Sequence, residues 1–366
     1  MRRLIRPLNF LFLFTALLSA GCVLAPRFGS TTPFSDGTTP KKKILASERN
    51  TSNPMAAFEA QIYDQLMAGD FAGIDAEAAS ARKSKERFRG GFWKISSIYS
   101  ASNSFYAEYP GQEVTDEMWK NRIELLTRWK DENPNSVTAR ISLAQAYHYW
   151  AWFARGDGYI NTVSERDYAL MKERLQIAEK ELWEATGLKE RCPELADSIL
   201  SIAVVNRWAP EKFDELFEKA VKAEPNFINY YLAKSDALKP KWGGSEIEWQ
   251  RFVDSIPSKV LALGSNEGDM IYFAVVADKL DDHTFSNNWA MISKDRIKKG
   301  FADMEKKFTP SKYRLNQFAY ISTVTRDLES ARAAFERIGT DRNDAVWSEG
   351  VFNTMKKIAY GEKGAS

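Results

Sequence analysis

The sequence predicts an all-α protein, on three observations. From about Asn53 onward, apolar residues recur at three- and four-residue spacing in almost every segment. No run shows the strict alternation of a half-buried strand. Cap and breaker residues such as Asn53-Pro54, Cys192-Pro193 and Gly243-Gly244-Ser245 punctuate the pattern and leave only short breaks.

In chain order, Asn53 and Pro54 form a cap and first-turn pair ahead of Met55, Phe58, Ile62 and Leu66. Trp119, Ile123 and Leu126 repeat the spacing, and Pro134 leads into a helix carrying Leu143, Ala144 and Tyr147. Tyr168, Met171, Leu175, Ala178, Leu182 and Ala185 make the longest stripe. Cys192 precedes Pro193 at a helix start, and further helices begin near Pro210, Ser245, Pro310 and Asp327.

The stretch KPKWGGSEIEW (239–249) reads as a turn. Leu232 and Leu238 close one helix, and Pro240 cannot extend it. Gly243 and Gly244 permit positive φ where the chain reverses. Ser245 caps the next helix, Glu248 completes a capping box, and Trp242 packs across the corner. Lining a ligand pocket is the alternative role for Trp242 and its glycines.

Several of these residues fall in a repeat. In the order small, large, small and then proline, Phe217, Ala220, Val221 and Pro225 resemble the second helix of a tetratricopeptide repeat, with Phe213 too large for its first small position. Ala178, Leu182 and Ala185 give the same helix 35 residues earlier, close to that family's 34-residue period. Ala331 and Phe335 give a partial third copy. The resemblance implies an α-solenoid of helical hairpins, irregular in its C-terminal third, since no copy registers between Leu238 and Ala331. No copy has the family's leading tryptophan, and the hairpin from Tyr147 to Ala178 is longer than the pattern by about 22 residues.

The N-terminus carries a different signal. Arg2, Arg3 and Arg6 precede an apolar stretch from Leu8 to Leu18, then Ser19, Ala20, Gly21 and Cys22. The stretch is too short to span a bilayer, which takes about 20 apolar residues, so a cleaved export signal fits better. Its ending resembles the lipobox of bacterial lipoproteins, although Leu18 lies one place further from the cysteine than the family prefers. That resemblance implies cleavage before Cys22, a diacylated thiol and an acylated amine. Val23 in the next position implies the outer membrane, facing the periplasm. The expected organisation is a signal over 1–21, a lipid anchor and flexible linker over 22–52, and a helical body over 53–366. The Pro-, Gly-, Ser- and Thr-rich linker has a reach of roughly 25 Å.

Removing residues 1–21 leaves 48 basic against 49 acidic side chains, so no basic footprint for nucleic acid remains. Only two histidines occur, His148 and His283, neither in a zinc-binding spacing. His148 reads as packed and hydrogen-bonded, and Asp281-Asp282-His283 as a solvated polar loop. No Gly-x-Ser-x-Gly elbow is present. LGSNEGD (263–269) has glycines but neither the lysine nor the preceding strand of a phosphate loop. No cofactor or metal is implied, and no catalytic residue stands out.

The candidate binding surface is the aromatic segment Tyr147, Trp150, Trp152, Arg155 and Tyr159, where the long hairpin departs from the repeat. The block GFWKI (91–95), AWFARGDGY (151–159) and the Trp242-Gly243-Gly244 turn resembles an uncharacterised bacterial family with a Pro-x-Trp-Gly-Gly turn and no assigned activity. The sequence thus points to an envelope-anchored binding or assembly module. Its partners would be the membrane, through the lipid on Cys22, and a protein or peptide. The alternative is an envelope hydrolase using a carboxylate pair on peptidoglycan or glycans.

Overall fold

The structure is a computed structural model that describes residues 53–105, 113–156, 162–281 and 289–361. The anchor, the linker, Tyr159, Asp282 and His283 lie outside the described residues. Those residues form fifteen α-helices and no strand: α1 Pro54–Ala68, α2 Phe71–Ser84, α3 Lys94–Ser102, α4 Asp116–Glu132, α5 Val137–Arg155, α6 Glu165–Thr186, α7 Pro193–Val205, α8 Pro210–Ala223, α9 Ile228–Ala237, α10 Glu246–Ala262, α11 Gly268–Asp278, α12 Lys294–Phe308, α13 Lys312–Val324, α14 Leu328–Ile338 and α15 Glu349–Tyr360. The all-α fold expected from the periodicity is what the chain adopts.

Their ends follow from local chemistry. Asn53 accepts from the Met55 amide at 3.1 Å, with Pro54 in the first turn of α1. Thr115, Ser136, Ser164, Ser245, Ser293, Ser311, Asp327 and Ser348 cap their helices in the same way. Pro193 and Pro210 occupy first turns, where a missing N–H is harmless.

The helices fall into two sets. Each odd-numbered helix packs on the next odd one, from α1 through to α15, and these carry the most apolar segments. In α11 every residue from Met270 to Ala277 is buried. The even-numbered helices pack on their chain neighbours, with α2 also reaching α5. Helices α8, α12 and α14 expose a charged face and bury a narrow apolar stripe, as outer helices do.

The row continues through the C-terminal third, where no repeat copy was registered. There the close approaches are made by glycines in other positions. A Cβ on Gly268 would lie 2.6 Å from Pro257 Cα, and one on Gly300 only 2.0 Å from the Asp269 carbonyl oxygen. The long hairpin also has a simple structural account. Both α5 and α6 are long, at 19 and 22 residues against 13 for α7 and 10 for α9. The end of α5 therefore extends about 9 Å further than a helix of α7's length would.

A segment between α2 and α3 makes contacts far along the chain. Arg87 forms an ion pair with Glu267 at 2.5 Å, and its guanidinium lies between the rings of Trp93 and Phe308. Trp93 Nε1 donates to the Asn226 carbonyl at 3.2 Å, and Arg314 Nε donates to the Gly90 carbonyl at 3.3 Å. This clasp joins the α2–α3 connection to the starts of α9, α11 and α13.

Candidate functional site

The aromatic segment of α5 divides between packing and surface. Trp150 Nε1 donates to Asp116 at 2.7 Å, and the Arg174 guanidinium lies 3.5 Å from the centroid of its ring. Arg174 also donates to the Trp150 carbonyl and to Asp116, so Trp150 fastens α5 to α4 and α6. Tyr147 is half-buried and tilted against Trp150 at 6.1 Å. Phe153 is 40% exposed.

Trp152 and Arg155 face a different neighbour. Trp152 meets Trp242 edge-to-face, with ring centroids 6.3 Å apart. The end of α5 and the turn after α9 thus come together across ninety residues of sequence, and Trp242 packs on α5 as well as on its own corner. Trp152 Nε1 donates to His148 Nε2 at 3.0 Å, which requires a neutral imidazole. Burial lowers the His148 pKa to about 4 and keeps that acceptor available near neutral pH. The Arg155 guanidinium lies 5.3 Å from the Trp152 ring centroid and donates to the Gly156 carbonyl at 2.9 Å. It makes no ion pair among the described residues.

The turn itself carries one difference from expectation. Gly243 has φ +98°, the left-handed value that glycine accepts without strain. Gly244 does not have positive φ; it is glycine because a Cβ there would sit 2.2 Å from the Leu238 carbonyl oxygen. Ser245 accepts from the Glu248 amide at 3.2 Å, and its hydroxyl donates to the Glu248 carboxylate at 2.7 Å. The return bond of the capping box therefore runs between side chains. Ser245→Ala is expected to cost about 1 kcal/mol. Trp242→Ala is expected to cost about 1–2 kcal/mol, less than a fully buried indole, because the ring is half-buried. Urea unfolding of the two variants measures both, and a Trp242→Ala protein as stable as the parent would show that Trp242 does not pack across the corner.

One group of side chains went unnoticed in the sequence. Glu194 and Asp197 lie one turn apart on α7. Glu194 is 3% exposed, and Asp197 keeps partial solvent contact. Gln145 of α5 donates to Glu194 at 3.4 Å and to Ser198 at 3.0 Å, and Asn229 of α9 donates to Glu194 at 3.5 Å. Burial raises both carboxyl groups above the ordinary range, the neighbouring Glu194 charge raises Asp197 further, and the Gln145 amide opposes the shift at Glu194. The signal that could have found them is the spacing: two acids three apart in the otherwise apolar helix PELADSILSIAVV.

The remaining polar groups have structural settings. Cys192 is buried with its sulfur 3.2 Å from the Tyr99 hydroxyl, and burial pushes the thiol pKa up to about 11, so it is no ready nucleophile. No group of three or more potential ligands able to hold a metal occurs among the described residues. A surface cavity of about 520 Å³ lies beside the clasp, lined by Asn226, Ser265, Glu267 and Lys307 among others. Neither it nor a second one on α4 includes Glu194 or Asp197.

The chain matches no protein-family model, no curated protein and no solved structure.

Proposed function

We propose that the chain is an envelope lipoprotein whose helical body holds a protein or peptide partner at the rim formed by Trp152, Arg155 and Trp242. One observation carries this reading: two half-buried indoles from distant helical hairpins meet beside an arginine that has no ion-pair partner among the described residues. Tryptophan and arginine are the residue types that most often dominate interface energy. Arg155 offers two parallel donors to a carboxylate, which lysine cannot reproduce.

Anchoring enters the same proposal through Cys22. No described helix is long and apolar enough to cross a membrane, and the lipid on Cys22 would supply attachment at the outer membrane.

The test places a photo-crosslinking residue at Phe153 in the full-length protein and follows adduct formation in cells. Arg155→Lys should lower the adduct yield several-fold while leaving helical content and the unfolding midpoint unchanged. Undiminished crosslinking, or a fall in stability that accounts for the loss, sinks the rim as a binding site. Cys22→Ser tests the anchor separately: the protein should leave the membrane fraction or remain unprocessed.

A further inference from the structure

We infer that Trp183 and Trp208 form a binding platform for a neutral β-linked oligosaccharide, separate from the rim at Trp152. Trp183 lies in the last turn of α6 and is 45% exposed, more than any other tryptophan of the chain. A single exposed apolar side chain needs no explanation. Here a second indole is set beside it from another element. Trp208, in the connection between α7 and α8, is half-buried against the core. The two rings lie within 7° of parallel, with centroids 6.1 Å apart. The backbone bends to place the second ring. Arg207 has φ +49°, a left-handed value rare for residues with side chains, and the Trp208 amide donates to the Ala203 carbonyl at 3.0 Å.

The edge of this pair is polar. Trp183 Nε1 faces Glu179 Oε1 at 3.5 Å, one turn back on α6. Asn206 Nδ2 donates to the other oxygen of the same carboxylate at 3.0 Å. Lys212, in the first turn of α8, holds its Nζ 3.4 Å from the centroid of the Trp208 ring. Neither Glu179 nor Lys212 makes an ion pair among the described residues, and they contribute one charge of each sign. An apolar face is therefore bordered by donors and acceptors together. The platform is also distinct from the rim. Trp152 packs with Met171 and Leu175 of α6, and Trp183 lies about 12 Å beyond Leu175 along that helix.

The chemistry selects the occupant. A sugar ring carries polarised C–H bonds on its face, which meet the negative face of an indole. Its hydroxyls lie round the edge, and each both donates and accepts, as the mixed border here requires. A β-1,4-linked chain is flat and extended, so successive rings lie along a level surface such as two near-parallel indoles provide. A quaternary ammonium instead needs rings set at angles around it. These rings are nearly parallel, and Lys212 already holds one face of Trp208. Nucleic acid strands also stack on aromatics, but their phosphates call for a basic groove. The chain from Cys22 onward has 48 basic and 49 acidic side chains, and Glu179 stands at the platform itself.

Calorimetric titration of the full-length protein, in a detergent without a sugar headgroup, tests the platform. The probe is the β-1,4-linked tetramer of N-acetylglucosamine, with oligothymidylate and a polyproline peptide as competing probes. The wild type should give saturable heat with the tetramer. Trp183→Ala should weaken binding by about tenfold or more, the scale on which losing a stacking ring acts. Trp183→Phe, which keeps a ring, should lose less than about threefold. Both should unfold at the wild-type midpoint. Should Trp183→Ala lower that midpoint, Glu179→Ala leaves both rings in place and must weaken binding several-fold. Arg155→Lys should bind the tetramer as the wild type does, so failure of the rim and failure of the platform are told apart. Absence of saturable heat from the wild type overturns the proposal, as does undiminished binding by Trp183→Ala. Tighter Trp183-dependent binding of either competing probe overturns the saccharide as the occupant.

Discussion

Gly300→Ala is expected to destabilise the protein by about 3 kcal/mol, although alanine is the better helix former. Gly300 lies within α12, where it backs onto the first turn of α11. A Cβ at this position would lie 2.0 Å from the Asp269 carbonyl oxygen, 2.6 Å from its carbon and 3.0 Å from Phe273 Cβ. The first two atoms are backbone and cannot swing aside. Either α12 must move away from α11 or the first turn of α11 must distort, and α11 is buried from Met270 to Ala277. Helix propensity favours the substitution by about 1 kcal/mol. Overpacking of this kind costs typically 1–3 kcal/mol and occasionally more, and a 2.0 Å backbone approach is severe. The steric term wins. Chemical unfolding with an unchanged denaturant slope measures the difference, and a variant as stable as the parent would show that α11 and α12 are not so closely packed.

Gly300 also shows why part of the fold was not legible. The small-large-small order of Ala178, Leu182 and Ala185 follows a known repeat because alanine methyl groups set the helix spacing there, and all three are buried. Between Leu238 and Ala331 the same task falls to Gly268 and Gly300, at positions outside that order. A search for the repeat therefore finds nothing, while the packing of α9 on α11 and α11 on α13 continues. Helix existence was legible throughout, because caps and apolar spacing are local. The clasp was not. Nothing in the sequence relates Arg87 to Glu267, since that pairing depends on how many hairpins separate them and how each one turns.

The position of the candidate aromatic segment was legible in outline, and its contacts were not. Aromatic residues at the end of α5 stood out by density alone. Density cannot separate Trp150, held by Asp116 and Arg174, from Trp152, which reaches Trp242. Consecutive helical residues point in different directions, so each meets a different neighbour. The reading of KPKWGGSEIEW as a turn holds, with Gly244 required by the Leu238 carbonyl and only Gly243 by its φ. Glu194 and Asp197 escaped notice because acids near a helix start read as favourable partners of its dipole. Their burial only becomes apparent once α5 and α9 are placed on either side.

Glu267→Gln is expected to be the more damaging change, at about 3–5 kcal/mol, because it leaves a buried guanidinium without its counter-charge. The Glu267 side chain is 3% exposed and that of Arg87 6% exposed. Lys307 also binds Glu267 at 2.5 Å, yet its side chain is 49% exposed and can turn to water when the carboxylate is lost. Arg87 has no such escape, since Trp93 and Phe308 flank its guanidinium with centroids 4.3 and 4.8 Å away. The rings offer some cation–π attraction, about 1–2 kcal/mol each when desolvated, which does not offset the cost of a buried unpaired charge. Breaking the pair should therefore loosen the α2–α3 segment from the starts of α9, α11 and α13 together. Removing both charges should not. A buried ion pair replaced by apolar residues of similar size is often neutral in stability, so Arg87→Met with Glu267→Leu should recover most of the loss. A double-mutant cycle by urea unfolding tests both claims. If Glu267→Gln costs less than about 1 kcal/mol, the clasp contributes no more than an exposed ion pair. If the double variant is as unstable as Glu267→Gln, the cause is packing around Trp93 and Phe308, and the charge argument fails.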